Sequence, residues 1–223
     1  CNTMGTASSM NSIAEALGMS LPGGAVIPAP YKERTDISFQ TGKRIVEMVF
    51  ENLIPSKIMT KEAFENAVYV ASAIGASSNC PPHLTAIARH MGIDFNLDQW
   101  EKLGHRIPLL ANCQPAGEHL MEGFFKAGGI PAIMKELIKD KKLNIKALTV
   151  TGKTIEENLN MKIDVNRDVI KSYENPLSHN AGFIVMKSNF FSSAVMKTSV
   201  ISSEFRERYL SNKDSLNIFE VKA

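Results

Sequence analysis

Three short stretches of the chain gather most of the side chains that could do chemistry: residues 1–9, 75–83 and 112–118. Each is rich in hydroxyls, amides and small residues, and each falls at the end of an expected strand or the start of an expected helix. Open α/β sheets form their ligand crevice at such ends. The start of a helix also presents unpaired N–H groups and a partial positive charge, which suit an anionic cluster or substrate. The competing reading is that all three stretches are ordinary caps and turns. His83 keeps three open roles: general base, ligand, or core imidazole satisfied by a backbone carbonyl. The two prolines before it fix its approach, as the start of a helix would also require. His90, His105, His119 and His179 lack a convincing partner and read as surface or capping residues. Gly152-Lys-Thr looks like the tail of a phosphate-binding loop, but the first glycine of that motif would fall on Ala147, so the match is rejected.

The cysteines add little by spacing alone. Cys1, Cys80 and Cys113 are widely separated, no CxxC pair exists, and three is an odd number. That pattern argues against a disulfide framework and against a structural zinc site built from this chain by itself. Buried free thiols are the plainest expectation.

The elements that must position these stretches follow from apolar periodicity. Residues 1–21 run from small residues into a helix carrying Ile13, Ala14, Ala16 and Leu17, with Gly18 as its stop. Residues 22–36 read as a long loop, because glycines and prolines crowd its first half and Lys-Glu-Arg its second. Helices are expected over residues 42–53 and 61–74. The first carries Ile45, Met48, Val49 and Leu53 as a core stripe, and the second has Thr60 as its N-cap. A further helix ends at His90. Residues 107–112 are expected to form a short buried strand, followed by helices over about 118–127 and 131–138 and a strand over 147–151. Beyond residue 155 the chain turns polar, and then β-favouring runs begin at Phe183 and Ala194.

Composition bounds the function classes. The chain has 223 residues, 44% hydrophobic and 22% charged, with 25 basic and 23 acidic side chains. These are the proportions of an ordinary globular protein. The near-balance of charge gives no electrostatic case for nucleic acid or an acidic membrane surface. No apolar run approaches the roughly 20 residues needed to span a bilayer, and no signal segment opens the chain. A cytoplasmic protein is the expectation.

The residues also carry a resemblance. Cys1-Asn-Thr-Met-Gly-Thr-Ala-Ser-Ser-Met-Asn and Glu15-Ala-Leu-Gly-Met-Ser-Leu-Pro-Gly resemble the dihydroxy-acid and sugar-acid dehydratase family. So do Pro55-Ser-Lys-Ile-Met-Thr-Lys-Glu-Ala-Phe-Glu-Asn-Ala, Ile107-Pro-Leu-Leu-Ala-Asn and Gln114-Pro-Ala-Gly-Glu. Ala127-Gly-Gly-Ile-Pro-Ala, Thr149-Val-Thr-Gly-Lys-Thr and Asn175-Pro-Leu-Ser complete a collinear series along nearly the whole chain. Branched-chain members usually show Gly-Gly-Met-Tyr-Thr-Ala after this cysteine. Asn-Thr-Met-Gly-Thr-Ala here, with Ser77-Ser-Asn-Cys-Pro-Pro-His, is similar to the branch acting on pentonates such as L-arabinonate and D-xylonate.

The resemblance implies the latter part of an α/β/α layered domain over residues 1–155, a linker over 156–180 and the start of a β-barrel-like domain over 181–223. It implies a hydro-lyase that converts a sugar acid to a 2-keto-3-deoxy acid with an iron–sulfur cluster, typically [2Fe–2S], and magnesium. Cys1 matches the third cluster cysteine of the family, and Cys80 and Cys113 match none. The base and the magnesium ligands are expected outside this chain, which is then an internal piece, inactive alone. Thr6, Asn79 and His83 are the candidate residues beside substrate or cluster, and a homodimer or homotetramer is expected. Two alternatives stay open: a dihydroxy-acid dehydratase of branched-chain amino-acid biosynthesis, and a non-catalytic binding fragment.

Overall fold

A computed structural model of the chain describes residues 2–202, 204, 205 and 207. The architecture is mixed α/β and mostly helical, with one two-stranded antiparallel sheet among those residues. In chain order the elements are α1 (Thr6–Ala16), α2 (Lys32–Phe50), α3 (Pro55–Ile58), α4 (Lys61–Ala73), α5 (Cys80–His90) and α6 (Leu97–Gly104). They continue with α7 (Met121–Lys126), α8 (Gly129–Lys139), α9 (Ile155–Asn158), β1 (Phe183–Met186) and β2 (Ala194–Lys197).

The core is organised around α4. Its Ala63, Phe64, Ala67, Val68, Val70 and Ala71 are all fully buried. A helix apolar around most of its circumference must be enclosed, and α4 touches α1, α5, α6 and α8. Thr60 occupies its N-cap position without a side-chain cap bond. Helix α1 ends as its sequence demands. Gly18 takes φ +80°, and a Cβ there would come within 2.8 Å of the Leu148 carbonyl oxygen. Only glycine meets both conditions cheaply.

The hairpin β1–β2 is attached to the helical body through α6. Phe183 pairs with Lys197 across the hairpin and buries its ring edge-on against Trp100, with centroids 5.0 Å apart. Such a pair adds about 1 kcal/mol beyond its area burial. Just ahead of it, a Cβ on Gly182 would lie 1.9 Å from the Gly104 carbonyl oxygen. Backbone therefore meets backbone where α6 ends and β1 begins.

Several sequence expectations need correction. Helix α2 begins at Lys32, not residue 42, because the Lys-Glu-Arg segment is its first turn. Arg34 within that turn donates to the carbonyls of Gly24 and Ile27, tying the preceding loop back onto the helix. The stripe expected over residues 42–53 is core only at Met48 and Leu53. Met48 is the one buried residue of α2, while Ile45, Val49 and Phe50 are 54%, 73% and 86% exposed. The helix is held instead by Met48 packing with Leu53, Ile58 and Val150, and by Arg44 Nε donating to the Val150 carbonyl at 2.6 Å.

The segments at 107–112 and 147–151 are extended but form no strand ladder among the described residues. Leu109, Ala111 and Leu148 make isolated bridges to Ser178, Ile170 and Thr154. Their backbone groups are satisfied by turns and loops: Leu110 N–H donates to the Ala73 carbonyl at 2.8 Å and Asn112 N–H to that of Val169 at 2.8 Å. Helix α6 was not anticipated. It is short, and Asn96 starts it with a capping box that Gln99 completes.

Candidate functional site

The three polar stretches converge. The start of α1, the turn into α5 and the segment after Asn112 line one open cavity of about 640 Å³, together with Lys197 at the end of β2. Met4 N–H donates to the Gln114 carbonyl at 2.8 Å, which fastens the first stretch to the third. Helix α1 starts at Gly5, with no side-chain cap and no acidic residue in its first turn. Its N-terminal dipole is therefore not offset locally.

Hydroxyls and amides join the first stretch to the second. Thr6 Oγ1 and Ser77 Oγ lie 3.1 Å apart, and Asn79 Nδ2 donates to Thr6 Oγ1 at 2.8 Å. Asn79 N–H donates to Ser77 Oγ at 3.2 Å, and Ser77 N–H to the buried Ser9 Oγ at 2.9 Å. Thr6 and Asn79 thus meet, although 73 residues separate them. His83 lies elsewhere: it is exposed in the first turn of α5 and does not line the cavity. Cys1 lies outside the described residues.

The third stretch is shaped by Asn112, which is buried. Its Oδ1 accepts from Glu118 N–H at 3.0 Å and its Nδ2 donates to the Asp168 carbonyl at 3.1 Å. One side chain therefore closes the 112–118 turn and ties it to the 166–170 segment.

Lys197 is the residue that local sequence reading could not reach. From β2 its Nζ crosses to donate to the Gly75 carbonyl at 2.5 Å, a contact spanning 122 residues. Burial pushes its pKa down, and the nearby Cys80 opposes that shift. Its only sequence signal was a lysine at the fourth position of the β-favouring run that begins at Ala194, indistinguishable from a solvated one.

Burial pushes the Cys80 thiol up to about 11 and the Cys113 thiol up to about 12. Thiols held protonated in apolar surroundings are poor metal ligands. No group of three or more His, Cys, Asp or Glu side chains among the described residues could hold a metal ion. These residues alone therefore do not fit an iron–sulfur cluster or a magnesium ion. A larger groove of about 770 Å³ runs along α2, but it is lined mainly by apolar side chains and by none of the three polar stretches. No helix among the described residues is long and apolar enough to cross a membrane.

The chain that builds this cavity from residues 1–9, 75–83 and 112–118 belongs to a recognisable class. Residues 1–158 match the dihydroxy-acid/6-phosphogluconate dehydratase N-terminal family, and the chain is a member of that family. It is 50% identical to a D-xylonate dehydratase from Caulobacter vibrioides over all 223 residues, which span 37% of that relative. It is 46% identical to an L-arabinonate dehydratase from Rhizobium leguminosarum, over 85% of this chain and 33% of the relative. A dihydroxy-acid dehydratase from Acetivibrio thermocellus is 42% identical, over 92% of this chain and 37% of its own length. The chain thus spans little more than a third of these relatives.

Proposed function

We propose that this chain forms part of a hydro-lyase that dehydrates a sugar acid, a pentonate such as D-xylonate or L-arabinonate, to a 2-keto-3-deoxy acid. The observation that carries this reading is the pair Thr6 and Ser77 on a water-accessible cavity, with Asn79 bonded to Thr6, in a member of this dehydratase family. A pentonate presents several hydroxyl groups, each a donor and an acceptor. A wall of hydroxyls and an amide can satisfy them, whereas an alkyl substituent in the same place would leave these groups unpaired. The higher identity to the xylonate and arabinonate enzymes, 50% and 46% against 42%, points the same way.

In this reading Thr6 and Asn79 orient the sugar hydroxyls. The first turn of α1 favours negative charge, and the buried Ser9 and Asn112 hold the walls in register. The complete protein would carry an iron–sulfur cluster and magnesium, with Cys1 as one cluster ligand and the remaining ligands and the base supplied from outside this chain. The cluster would supply Lewis acidity for departure of the 3-hydroxyl. Residues 1–155 would complete an α/β/α layered domain, 156–180 would link, and 181–223 would begin a β-barrel-like domain. The functional unit would be a homodimer or homotetramer.

The test is an anaerobic assay of the complete protein that follows 2-keto acid formation from D-xylonate, L-arabinonate and 2,3-dihydroxyisovalerate. Turnover of a pentonate with the branched acid slow is the expected result. Preference for 2,3-dihydroxyisovalerate would replace the sugar-acid reading with the dihydroxy-acid one.

A further inference from the structure

Helix α2 carries apolar residues on the side turned away from the body. Met48 is its one buried residue, and Arg44 anchors the helix to the Val150 carbonyl. At 3.6 residues per turn, Phe39, Val46 and Phe50 fall opposite Met48. Phe39 and Val46 are 71% and 55% exposed, and Val49 and Phe50 are more exposed still. A surface helix ordinarily keeps that side polar. Ile45 and Ile54, also exposed, continue the apolar surface to the rim of the 770 Å³ groove. These six residues together expose roughly 700 Å², near the ~800 Å² each partner gives to a stable interface and above what most monomers leave bare.

The pattern along the helix fits a second copy of itself. Gly42 lies between Phe39 and Val46 on this stripe, with nothing within 4 Å of where a Cβ would stand. In an antiparallel two-fold pairing centred on Val46, residues equally far from Val46 come level. Val49 and Phe50 of one copy then meet Lys43 and Gly42 of the other. Gly42 leaves a hollow for the large side chains, and the apolar stem of Lys43 covers the ring. Lys43 and Glu47 stand four residues apart on one flank of the stripe. The two-fold therefore sets Lys43 of each copy beside Glu47 of the other. Knob, hollow and opposite charges thus match on a single helix, which is the self-complementarity an isologous contact requires. A covering segment of unrelated sequence requires no such match.

We propose that this outward face of α2 is a homodimer contact, closed by the same face of a second copy. The inference rests on the homo-oligomeric part of the proposed function and not on the substrate. Arg44, held by Glu47, Glu51 and the Val150 carbonyl, fixes the helix from its other side, so the face is presented ready-formed.

The test uses the complete protein in sedimentation velocity and in anaerobic cross-linking. The wild type is expected to sediment as a dimer or a multiple of one. Val46→Glu combined with Phe50→Glu should halve that mass, a rise in the dissociation constant of roughly 100-fold or more from burying unpaired carboxylates. Its circular dichroism should match the wild type, because the anchors of α2 are untouched. In Val46→Cys the two new thiols meet at the two-fold axis, so a short bis-maleimide should give a covalent dimer that the wild type does not form. If the glutamates prevent folding, the Val46→Cys result decides alone. A monomeric wild type would overturn this contact and the homo-oligomeric reading together. An assembled wild type whose mass the glutamates leave unchanged would overturn the contact alone. So would a Val46→Cys variant that does not cross-link: blocked to a monomaleimide, the face is covered by the rest of the chain, and open to it, the face is bare.

Discussion

Gly182 and Gly104 meet so closely that a Cβ on Gly182 would lie 1.9 Å from the Gly104 carbonyl oxygen and 3.1 Å from Ser72 Oγ. This contact seats the hairpin that presents Lys197, so fold stability and site geometry share one joint. In Gly182→Ala the backbone must move, because the obstructing atom is main chain and cannot rotate away. The expected cost is about 3 kcal/mol, at the upper end for overpacking. The substrate KM should rise alongside it, through displacement of β2. Urea unfolding and steady-state kinetics on the complete protein check both; a loss below about 0.5 kcal/mol would show that the joint is slack.

Asn112 closes the 112–118 turn with two hydrogen bonds made from a buried position. Asn112→Ala leaves the Glu118 N–H and the Asp168 carbonyl, both only partly buried, without this partner, a loss of about 1 to 2 kcal/mol in stability. Asn112→Asp keeps the acceptor for Glu118 N–H but turns a buried carboxylate oxygen toward the Asp168 carbonyl, so at neutral pH it should cost more than Asn112→Ala. The order of the two urea midpoints decides the matter, and reversal would contradict the assigned bonds.

The cysteines should divide cleanly. Cys80 and Cys113 are buried thiols with pKa values pushed up to about 11 and about 12. Cys80→Ala and Cys113→Ala are therefore expected to retain full iron and sulfide, at a stability cost of about 1 kcal/mol each for the lost packing. Cys1→Ser is expected to lose cluster binding, because the proposed function makes Cys1 a cluster ligand. Iron and sulfide analysis of the purified variants distinguishes them. A Cys80 variant lacking iron would transfer the ligand role to the wrong-looking thiol.

Glu15 supplies a pH signature. Its carboxylate is buried in α1 and accepts from Gly23 and Ala25 N–H at 2.7 and 2.9 Å. Burial raises its pKa from 4.5 to about 7, against the pull of those two bonds. The folded state therefore binds a proton more tightly than the unfolded chain. The stabilisation from this proton is complete below about pH 4.5 and is lost as pH rises through about 7, a swing on the order of 3 kcal/mol. Glu15→Gln should flatten that part of the stability–pH curve. A wild-type curve that instead rises from pH 4.5 to 7 with the slope assigned to Glu15 by that variant would reverse the sign.

Much of this was legible in the residues. The stretches around Thr6, Asn79 and Asn112 stood out because hydroxyls and amides interrupt apolar periodicity, and the structure brings Thr6 and Asn79 into contact. The enclosed helix α4 and the glycine stop at Gly18 follow from local pattern. What failed depended on distance or surroundings. The Ile45–Val49 stripe has a true helical period, but periodicity says that a face is apolar and not what covers it. Residues 107–112 have the composition of a strand, yet their neighbours here are loops, so the ladder does not form. Lys197 was invisible because its meaning arises from a contact with Gly75 that no local window contains.

The central claim is that the cavity between Thr6, Ser77 and Lys197 holds the acid. The most direct measurement is a crystal structure of the complete protein bound to a pentonate, or to its 2-keto product, under anaerobic conditions. The account predicts the acid in this cavity, with sugar hydroxyls within hydrogen-bond distance of Thr6 Oγ1 and Ser77 Oγ. An acid bound elsewhere, with this cavity filled by protein or ordered water alone, would contradict it.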